Sequence, residues 1–217
     1  MRCVYCKNMC VKKGKYRTIQ RYQCKHCKRY QQKHYSKFVI PSYKYDWVLK
    51  LNNECCGIRS IGRLLKIAKT SVQRVIERIA EKIQRPVYKE ENQSYEVDEL
   101  RTYCGNKKNE SWIIYAINKV TGKVIDFVIG RRTKLNTEQV INSVLKLNPK
   151  RIYTDGLNSY LSLIPKDKHK VFQYCTNKIE RHNLTMRTHL KRLVRKTICF
   201  TKNDEMLENC MKLYCFI

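Results

Sequence analysis

The chain has 217 residues, 42% of them hydrophobic, so it can form one medium domain or several small ones and is not a disordered tail. Lysine and arginine total 46 against 18 aspartate and glutamate, a formal net charge of +28. A compact state with this excess repels itself, which favours a polyanionic partner, and nucleic acid is the natural candidate.

Two other classes are excluded by the same reading. The sequence has no run of about 18 apolar residues and no positively flanked apolar segment at its start, so a membrane protein or an exported protein is not expected. The 12 cysteines therefore indicate reduced thiols and metal ligation rather than disulfides. We expect a soluble, cytoplasmic protein.

Charge and periodicity divide the chain into three regions, and we predict a multidomain α+β protein. The first acidic residue is Asp46, so residues 1–45 carry 13 lysines and arginines without a counter-charge. Changes of hydrophobic period predict a zinc ribbon over 1–42, a helix-turn-helix over 43–86 and an α/β domain over 87–217.

The first region contains a cysteine quartet. Cys3-x2-Cys6 and Cys24-x2-Cys27 are separated by 17 residues, which is the spacing of a tetrahedral zinc site. Residues 17–23 are predicted to return as a strand that brings the second pair to the first. Four thiolates leave no open coordination position, so the zinc should be structural; iron is the alternative metal.

The second region has helical spacing. Thr70 and Gln73 match a capping box, which predicts that a helix begins at Thr70 and runs towards Ile83. A shorter helix is predicted from Ser60 to Lys66, and together they form a helix-turn-helix. On that interpretation the second helix enters the major groove, although an ordinary helical hairpin with a basic face is the alternative. The predicted DNA contacts are Ser71, Gln73, Arg74 and Arg78.

The third region begins with strand-like runs at 95–100, 111–118 and 123–129, for which antiparallel pairing is expected. A helix over 137–147 and a short strand over 151–154 follow, and the strand ends at Asp155. This alternation of strand, helix and strand predicts an α/β domain.

A last helix is predicted over 178–195, with an apolar stripe on one face and Glu180 on the neighbouring face. Between Lys178 and Lys202 there are eight lysines and arginines and one acid. Glu180 is therefore either an ion-pair partner or a metal ligand, and this segment alone favours pairing. However, Asp98 is expected to end one central strand, Asp155 to end another and Glu180 to begin a helix, so the three carboxylates can converge on Mg²⁺ or Mn²⁺.

Three strings in this region, VDEL, IYTDG and KIERHNLTMRTHLKRLVRKTICF, resemble transposases of the insertion sequence one family of bacteria. The resemblance implies a zinc ribbon and a helix-turn-helix ahead of an RNase H-like catalytic domain. It places the family's Asp-Asp-Glu triad on Asp98, Asp155 and Glu180, with 24 residues between the last two. Glu99 is the rival of Asp98. Strand alternation puts the two on opposite faces, so we expect only one of them to join the cluster.

The resemblance further implies a transposase that binds element ends and target DNA and that cleaves and transfers strands with catalytic Mg²⁺ or Mn²⁺. Pairing two DNA ends calls for a homodimer or higher oligomer, associated with the nucleoid. The same carboxylates would equally serve an RNase H-like nuclease, and a non-enzymatic repressor with an inactive catalytic remnant is a third hypothesis. Residues expected to hold the DNA backbone are Arg181, Arg187, Lys191, Arg192, Arg195 and Lys196.

Overall fold

The computed structural model describes residues 1–34, 39–172 and 174–217. The chain forms two compact units, Met1–Ile40 and Pro41–Ile217. Residues 35–38 of the predicted ribbon region lie outside the described residues. Within the described ranges, no helix is both long enough and apolar enough to cross a membrane.

The first unit is built on an antiparallel sheet with strand order β1-β2-β3. Its strands are β1 (Cys10–Tyr16), β2 (Ile19–Cys24) and β3 (Tyr30–Gln32). β2 is the returning strand predicted over 17–23, with its bounds slightly shifted. The buried centre of this unit consists of the thiols of Cys3, Cys10 and Cys24 rather than of aliphatic side chains. Such a small core fits a module that metal binding helps to fold.

Three helices open the second unit: α1 (Tyr43–Asn53), α2 (Ile58–Leu64) and α3 (Lys69–Ala80). Both helices of the predicted pair are present, and α3 buries its apolar face as helical spacing requires. α2 lies two residues earlier than the predicted 60–66. The turn is made by Lys66, whose φ of 51° is left-handed, a conformation in which glycine is more usual.

The predicted capping box at the start of α3 is wrong. Lys69 is the first helical residue, and the N-cap is Ala68, which makes no side-chain capping bond. The turn is instead held by a backbone hydrogen bond, in which Ile67 N donates to Gly62 O at 2.9 Å. A Cβ on Gly62 would lie 2.9 Å from that same Ile67 O, so only glycine allows this approach. The contact between α2 and the turn sets where α3 begins.

A five-stranded sheet of order β6-β5-β4-β7-β8 forms the centre of the second unit. β4 pairs antiparallel with β5, and β5 antiparallel with β6, which confirms the three strands predicted between 95 and 129. β7 then adds parallel to the other edge of β4, and β8 parallel to β7. The strands are β4 (Ser94–Tyr103), β5 (Glu110–Asn118), β6 (Val124–Gly130), β7 (Arg151–Tyr153) and β8 (His169–Lys170).

Helices cover both faces of this sheet. α4 (Lys134–Leu145) and the short α5 (Asn158–Leu161) pack on one face, and α6 (Asn177–His189) and α7 (Asp204–Cys215) on the other. Tyr95 and Val97 of β4 belong to the core under α4, whereas Leu100 belongs to the core under α6. Because side chains alternate along a strand, Asp98 faces α6 and Glu99 faces α5.

The helix predicted over 178–195 ends early. α6 stops at His189, Leu190 is extended with φ −107° and ψ 107°, and a short 3-10 helix follows at Lys191–Leu193. Leu190 and Leu193 are nevertheless 2% exposed and share the core of the helical residues Ile179 and Met186. The apolar stripe was therefore correctly assigned to the core, but the chain must break to bury its last members.

α7 was not predicted. Asn203 caps it by accepting a hydrogen bond at Oδ1 from Met206 N at 3.2 Å, a local signal that the sequence carries. Leu207 and Met211 of this helix pack under the sheet. α7 also contacts α3 and so joins the helix pair to the sheet in one unit.

Candidate metal centres and catalytic site

The cysteine quartet converges in the first unit. Cys3, Cys6, Cys24 and Cys27 each offer a sulfur, and the four sulfurs lie within 4.8 Å of one another. Cys3 Sγ is 3.6 Å from Cys27 Sγ, and Cys6 Sγ is 3.4 Å from Cys24 Sγ. Sulfurs about 2.3 Å from a zinc ion at tetrahedral corners would stand roughly 3.8 Å apart. The predicted ligand set is brought together at close to that spacing.

Each cysteine pair is shaped by the lysine that follows it. Lys7 N donates to Cys3 O at 3.0 Å and Lys28 N to Cys24 O at 3.1 Å. Both lysines have left-handed φ values, 61° and 59°, which close two matching turns. The backbone N–H of Asn8 lowers the pKa of the Cys6 thiol to about 5, which favours the thiolate that a metal needs.

Asp98 lies in a polar network between β4 and α6. Its Oδ2 accepts a hydrogen bond from Asn183 Nδ2 at 2.7 Å, and its Oδ1 accepts one from Glu99 N at 2.8 Å. Tyr115 donates its hydroxyl hydrogen to Asn183 Oδ1 at 2.8 Å, which fixes the orientation of that amide. Burial raises the pKa of Asp98 to about 6, which means that desolvation destabilises the ionised carboxylate.

Asp155 follows β7 and is exposed at the same edge of the sheet. β7 pairs with β4 only as far as Glu96, which leaves the β4 edge beside Asp98 and Glu99 open. Asp98, Glu99 and Asp155 each offer an oxygen, and these oxygens lie within 4.8 Å of one another. The expectation that only one of Asp98 and Glu99 could join the cluster is therefore wrong. Their side chains do leave opposite faces, but both reach into the opening where β7 has ended.

Glu180 lies in the first turn of α6 and is exposed. It lines the same cavity as Asp98 and Glu99, together with Arg187 and Arg195. It is not part of the close group of three carboxylates, and its Oε1 accepts a hydrogen bond from Thr176 Oγ1 at 3.1 Å. The structure thus brings Asp98 and Asp155 together and places Glu180 on the wall of the cavity beside them.

The start of α6 is anchored by a buried glutamate that sequence reasoning missed. Glu96 Oε2 accepts a hydrogen bond from Ile179 N at 2.7 Å, one residue before Glu180. Lys119 pairs with Glu96 Oε1 at 2.8 Å and donates to Cys175 O at 2.7 Å. The signal was the alternation of β4, since Glu96 and Asp98 share a strand face.

Glu99 forms an ion pair with Arg132. Its side chain is 1% exposed, and its Oε2 is 3.3 Å from Arg132 Nη2, while that guanidinium lies over the ring of Trp112 at 4.9 Å. Within the described residues, Glu99 Oε1 is buried and accepts no hydrogen bond. Burial raises the pKa of this carboxyl. Arg132 and the neighbouring Tyr160 hydroxyl oppose this effect, because both favour the charged form of Glu99.

His182 has its Nδ1 3.3 Å from the Tyr115 hydroxyl, and burial lowers the pKa of its ring. It packs against the Tyr115 ring at 5.6 Å, while its neighbour Asn183 contacts Asp98.

The predicted DNA contacts have different environments. On α3, Ser71 and Gln73 are half-buried and Arg74 and Arg78 are exposed. Arg181 is exposed and lines a small cavity with Leu184 and Thr188. The remaining predicted DNA contacts help to line two adjoining cavities. They are Arg187, Lys191, Arg192, Arg195 and Lys196.

Comparison with known proteins identifies the class. Residues 93–217 match the family model of the IS1 transposases. The chain is 39% identical over 113 residues to insertion element iso-IS1n protein InsB of Shigella dysenteriae, covering 52% of this chain and 86% of that protein. It is 33% identical over 119 residues to insertion element IS1 protein InsB of Shigella flexneri, covering 55% and 91%. These matches define a DDE-type transposase. The chain belongs to the IS1 transposase family.

Among solved structures, the magnesium complex of the HTLV-2 integrase catalytic core domain in its trimeric form is similar to this chain at a TM-score of 0.39 and 15% identity. That alignment covers 56% of this chain and 84% of the integrase chain.

Proposed function

We propose that this chain binds the terminal inverted repeats of its insertion sequence and catalyses metal-dependent cleavage and strand transfer, with Asp98, Asp155 and Glu180 as metal ligands. The observation that carries the proposal is the meeting of the first two carboxylates at the open edge of β4, beside a cavity that Glu180 lines. Membership of the IS1 transposase family supports it.

The sheet supports an RNase H-like catalytic domain, which we propose over 87–217. In this sheet, β4 is central, two strands add antiparallel on one side, and two add parallel on the other. Asp98 lies in the middle of β4 rather than at its end. Because β7 runs parallel to β4 and stops at Tyr153, Asp155 follows the end of β7 beside Asp98. A carboxylate on the helix that crosses this edge completes the arrangement.

The donor set fits Mg²⁺ or Mn²⁺, which prefer oxygen ligands. When bound, such an ion polarises a phosphodiester and activates water for attack. Asn183 and the backbone of Glu99 keep the Asp98 oxygens in place. Glu180, which accepts a hydrogen bond from Thr176, would be the third residue to hold the ion, while the buried Glu96 holds the start of α6 in position.

The four thiols fit zinc in a structural role, because no coordination position remains open for chemistry. We propose that this zinc ribbon, within 1–42, and the helix pair, within 43–86, bind DNA. The lack of any acid before Asp46 supports the first, and the exposed Arg74 and Arg78 support the second. Two DNA ends must be joined, which calls for a dimer or larger assembly.

Cleavage of a labelled terminal-repeat duplex tests the proposal. The full chain should cut the duplex with Mg²⁺ and should not cut it with a chelator present. Asp155→Asn should bind the duplex with unchanged affinity but lose cleavage by at least about a thousandfold, as expected when a metal ligand is removed. Asp167→Asn, at an exposed acid before β8, is the matched control and should cut normally. Binding without cleavage by the unmodified chain would favour the repressor.

A further inference from the structure

Three cavities of the second unit share walls. The first contains Asp98 and Glu180, and Arg187 and Arg195 form the wall that it shares with the second. The second and third cavities share Arg192 and Phe200. The third reaches α2 and α3, where it is lined by Arg59, Lys69 and Gln73. One continuous groove therefore runs from the carboxylates to the helix pair.

The groove beyond the carboxylates has cationic walls and no acidic ones. Among residues 1–34, 39–172 and 174–217, no aspartate or glutamate lines the second or third cavity. Arg101 is paired with Glu110. Across the described part of the chain, the other nine cations of these walls have no ion-pair partner. They are Arg59, Lys69, Lys107, Arg187, Lys191, Arg192, Arg195, Lys196 and Lys202.

One arginine of the carboxylate cavity is held by backbone carbonyl oxygens. Arg187 donates from Nη1 to Leu193 O at 3.0 Å and from Nη2 to Arg101 O at 3.2 Å. Burial, and then the charge of Arg195, lower the pKa of Arg187. Arg187 and Arg195 line the cavity of the carboxylates, yet within the described residues neither forms an ion pair. Both can therefore take an anion from outside the chain. A phosphate matches the planar fork of donors that arginine presents.

The other end of the groove combines cations with apolar side chains. Lys202 Nζ lies 5.2 Å from the centre of the Phe200 ring, and Phe200 packs edge-on against Tyr103 at 6.2 Å. Ile198, which also lines this cavity, is 80% exposed. Apolar and aromatic tips among cations suit the sugars and bases of a nucleic-acid strand, whose phosphates the cations hold.

We propose that this groove holds the sugar–phosphate backbone of the DNA strand that is cut, with Arg187 and Arg195 on the phosphate next to the scissile one. The inference rests on the proposed function, since the carboxylates define where the strand is cut. It assigns Lys69 and Gln73, rather than Arg74 and Arg78, as the α3 residues on this strand. The distal phosphates are held by Arg59, Lys69 and Lys202.

Salt dependence of binding tests the groove. Each phosphate contact contributes roughly 0.9 to the slope of log affinity against log salt. In a cleavage-inactive Asp155→Asn background, the triple variant Arg59→Gln, Lys69→Gln, Lys202→Gln should reduce that slope by about 2 to 3 and affinity by tenfold or more. The matched control is Lys146→Gln, Lys150→Gln, Lys166→Gln, which removes the same charge from exposed sites outside the groove. The control should keep the slope, and equal slopes for the two triple variants would overturn the proposal.

Photo-crosslinking identifies the strand. A benzophenone amino acid replacing Ile198, again in the Asp155→Asn background, should attach to the strand that carries the scissile phosphate. Attachment only to the complementary strand, or none when the duplex is bound, would contradict the assignment. Both readouts measure binding by an inactive chain. If the unmodified chain cuts DNA but these two tests fail, the groove does not hold the cut strand, and the proposed function still stands. If the unmodified chain does not cut DNA, the proposed function is wrong whatever the two binding tests show.

Discussion

Asn183 donates a hydrogen bond from Nδ2 to Asp98 Oδ2 at 2.7 Å, so the helix that carries Glu180 is joined directly to the strand that carries Asp98. The donor is itself oriented by Tyr115, which lies in the sheet core. The relative position of two proposed metal ligands is therefore set by an amide that does not need to touch the ion.

Asn183→Ala should reduce cleavage by about 10- to 100-fold, since a hydrogen bond to a charged group is worth roughly 1.5–3 kcal/mol. DNA affinity should be unchanged, and Mn²⁺ affinity should fall, because Asp98 loses its orientation. Calorimetric titration of Mn²⁺ alongside single-turnover cleavage provides both values. Asn177→Ala, on the exposed start of α6, is the control. Normal Mn²⁺ affinity in Asn183→Ala would contradict a positioning role.

Metal-free stability should fall as pH rises from about 4 to about 6. Burial raises the pKa of Asp98 from 3.8 to about 6, so in this window the folded chain binds a proton that the unfolded chain has lost. Stability therefore decreases with pH there. Melting with a chelator should show that Asp98→Asn gains stability relative to the unmodified chain above pH 6 and differs less near pH 4. A pH-independent difference would rule out this linkage.

Arg132 and a metal ion should compete for Glu99, because that carboxyl lies among the site oxygens and pairs with the arginine. Arg132→Gln should tighten Mn²⁺ binding about three- to tenfold, whereas Glu99→Gln should weaken it by at least about tenfold, in line with one charged ligand gained or lost. Arg131→Gln, at the adjacent exposed position, is the control. Weaker Mn²⁺ binding in Arg132→Gln would mean that the ion pair only supports the fold.

Cys24→Ser should remove the bound zinc and unfold the first unit, since its buried centre is made of the metal-binding thiols. Zinc per chain, measured by atomic emission, should fall from about one to near zero, as in other four-cysteine sites. Cys199→Ser, outside the quartet, should keep the metal. A zinc-free chain whose first unit retains its protection from hydrogen exchange would contradict metal-driven folding.

The elements that could be predicted are those with a local signal. Alternation gave the three antiparallel strands, and the cysteine spacing gave the quartet. The capping box at Thr70 was wrong because the backbone turn between Gly62 and Ile67 sets the start of α3, and a pattern of capping side chains does not reveal that turn. The end of α6 and the whole of α7 depend on how Leu193 and Leu207 share one core, which periodicity alone does not reveal.

The candidate site was predictable only in part for the same reason. Asp155 was found from its place after a strand, and strand alternation correctly separated Asp98 from Glu99. That both still reach the opening follows from where β7 stops pairing, which only the three-dimensional register defines. Glu96 was missed because it resembles an ordinary strand residue until its bond to Ile179 is seen.

Catalysis by three carboxylates is tested most directly on Glu180, which lines the cavity but lies outside the close group of oxygens. Single-turnover cleavage of a terminal-repeat duplex should be compared for the unmodified chain, Glu180→Gln and the exposed control Glu91→Gln. Glu180→Gln should bind the duplex with normal affinity and lose cleavage by at least about a thousandfold, the loss expected for a metal ligand. Cleavage by Glu180→Gln at the unmodified rate would contradict catalysis by three carboxylates.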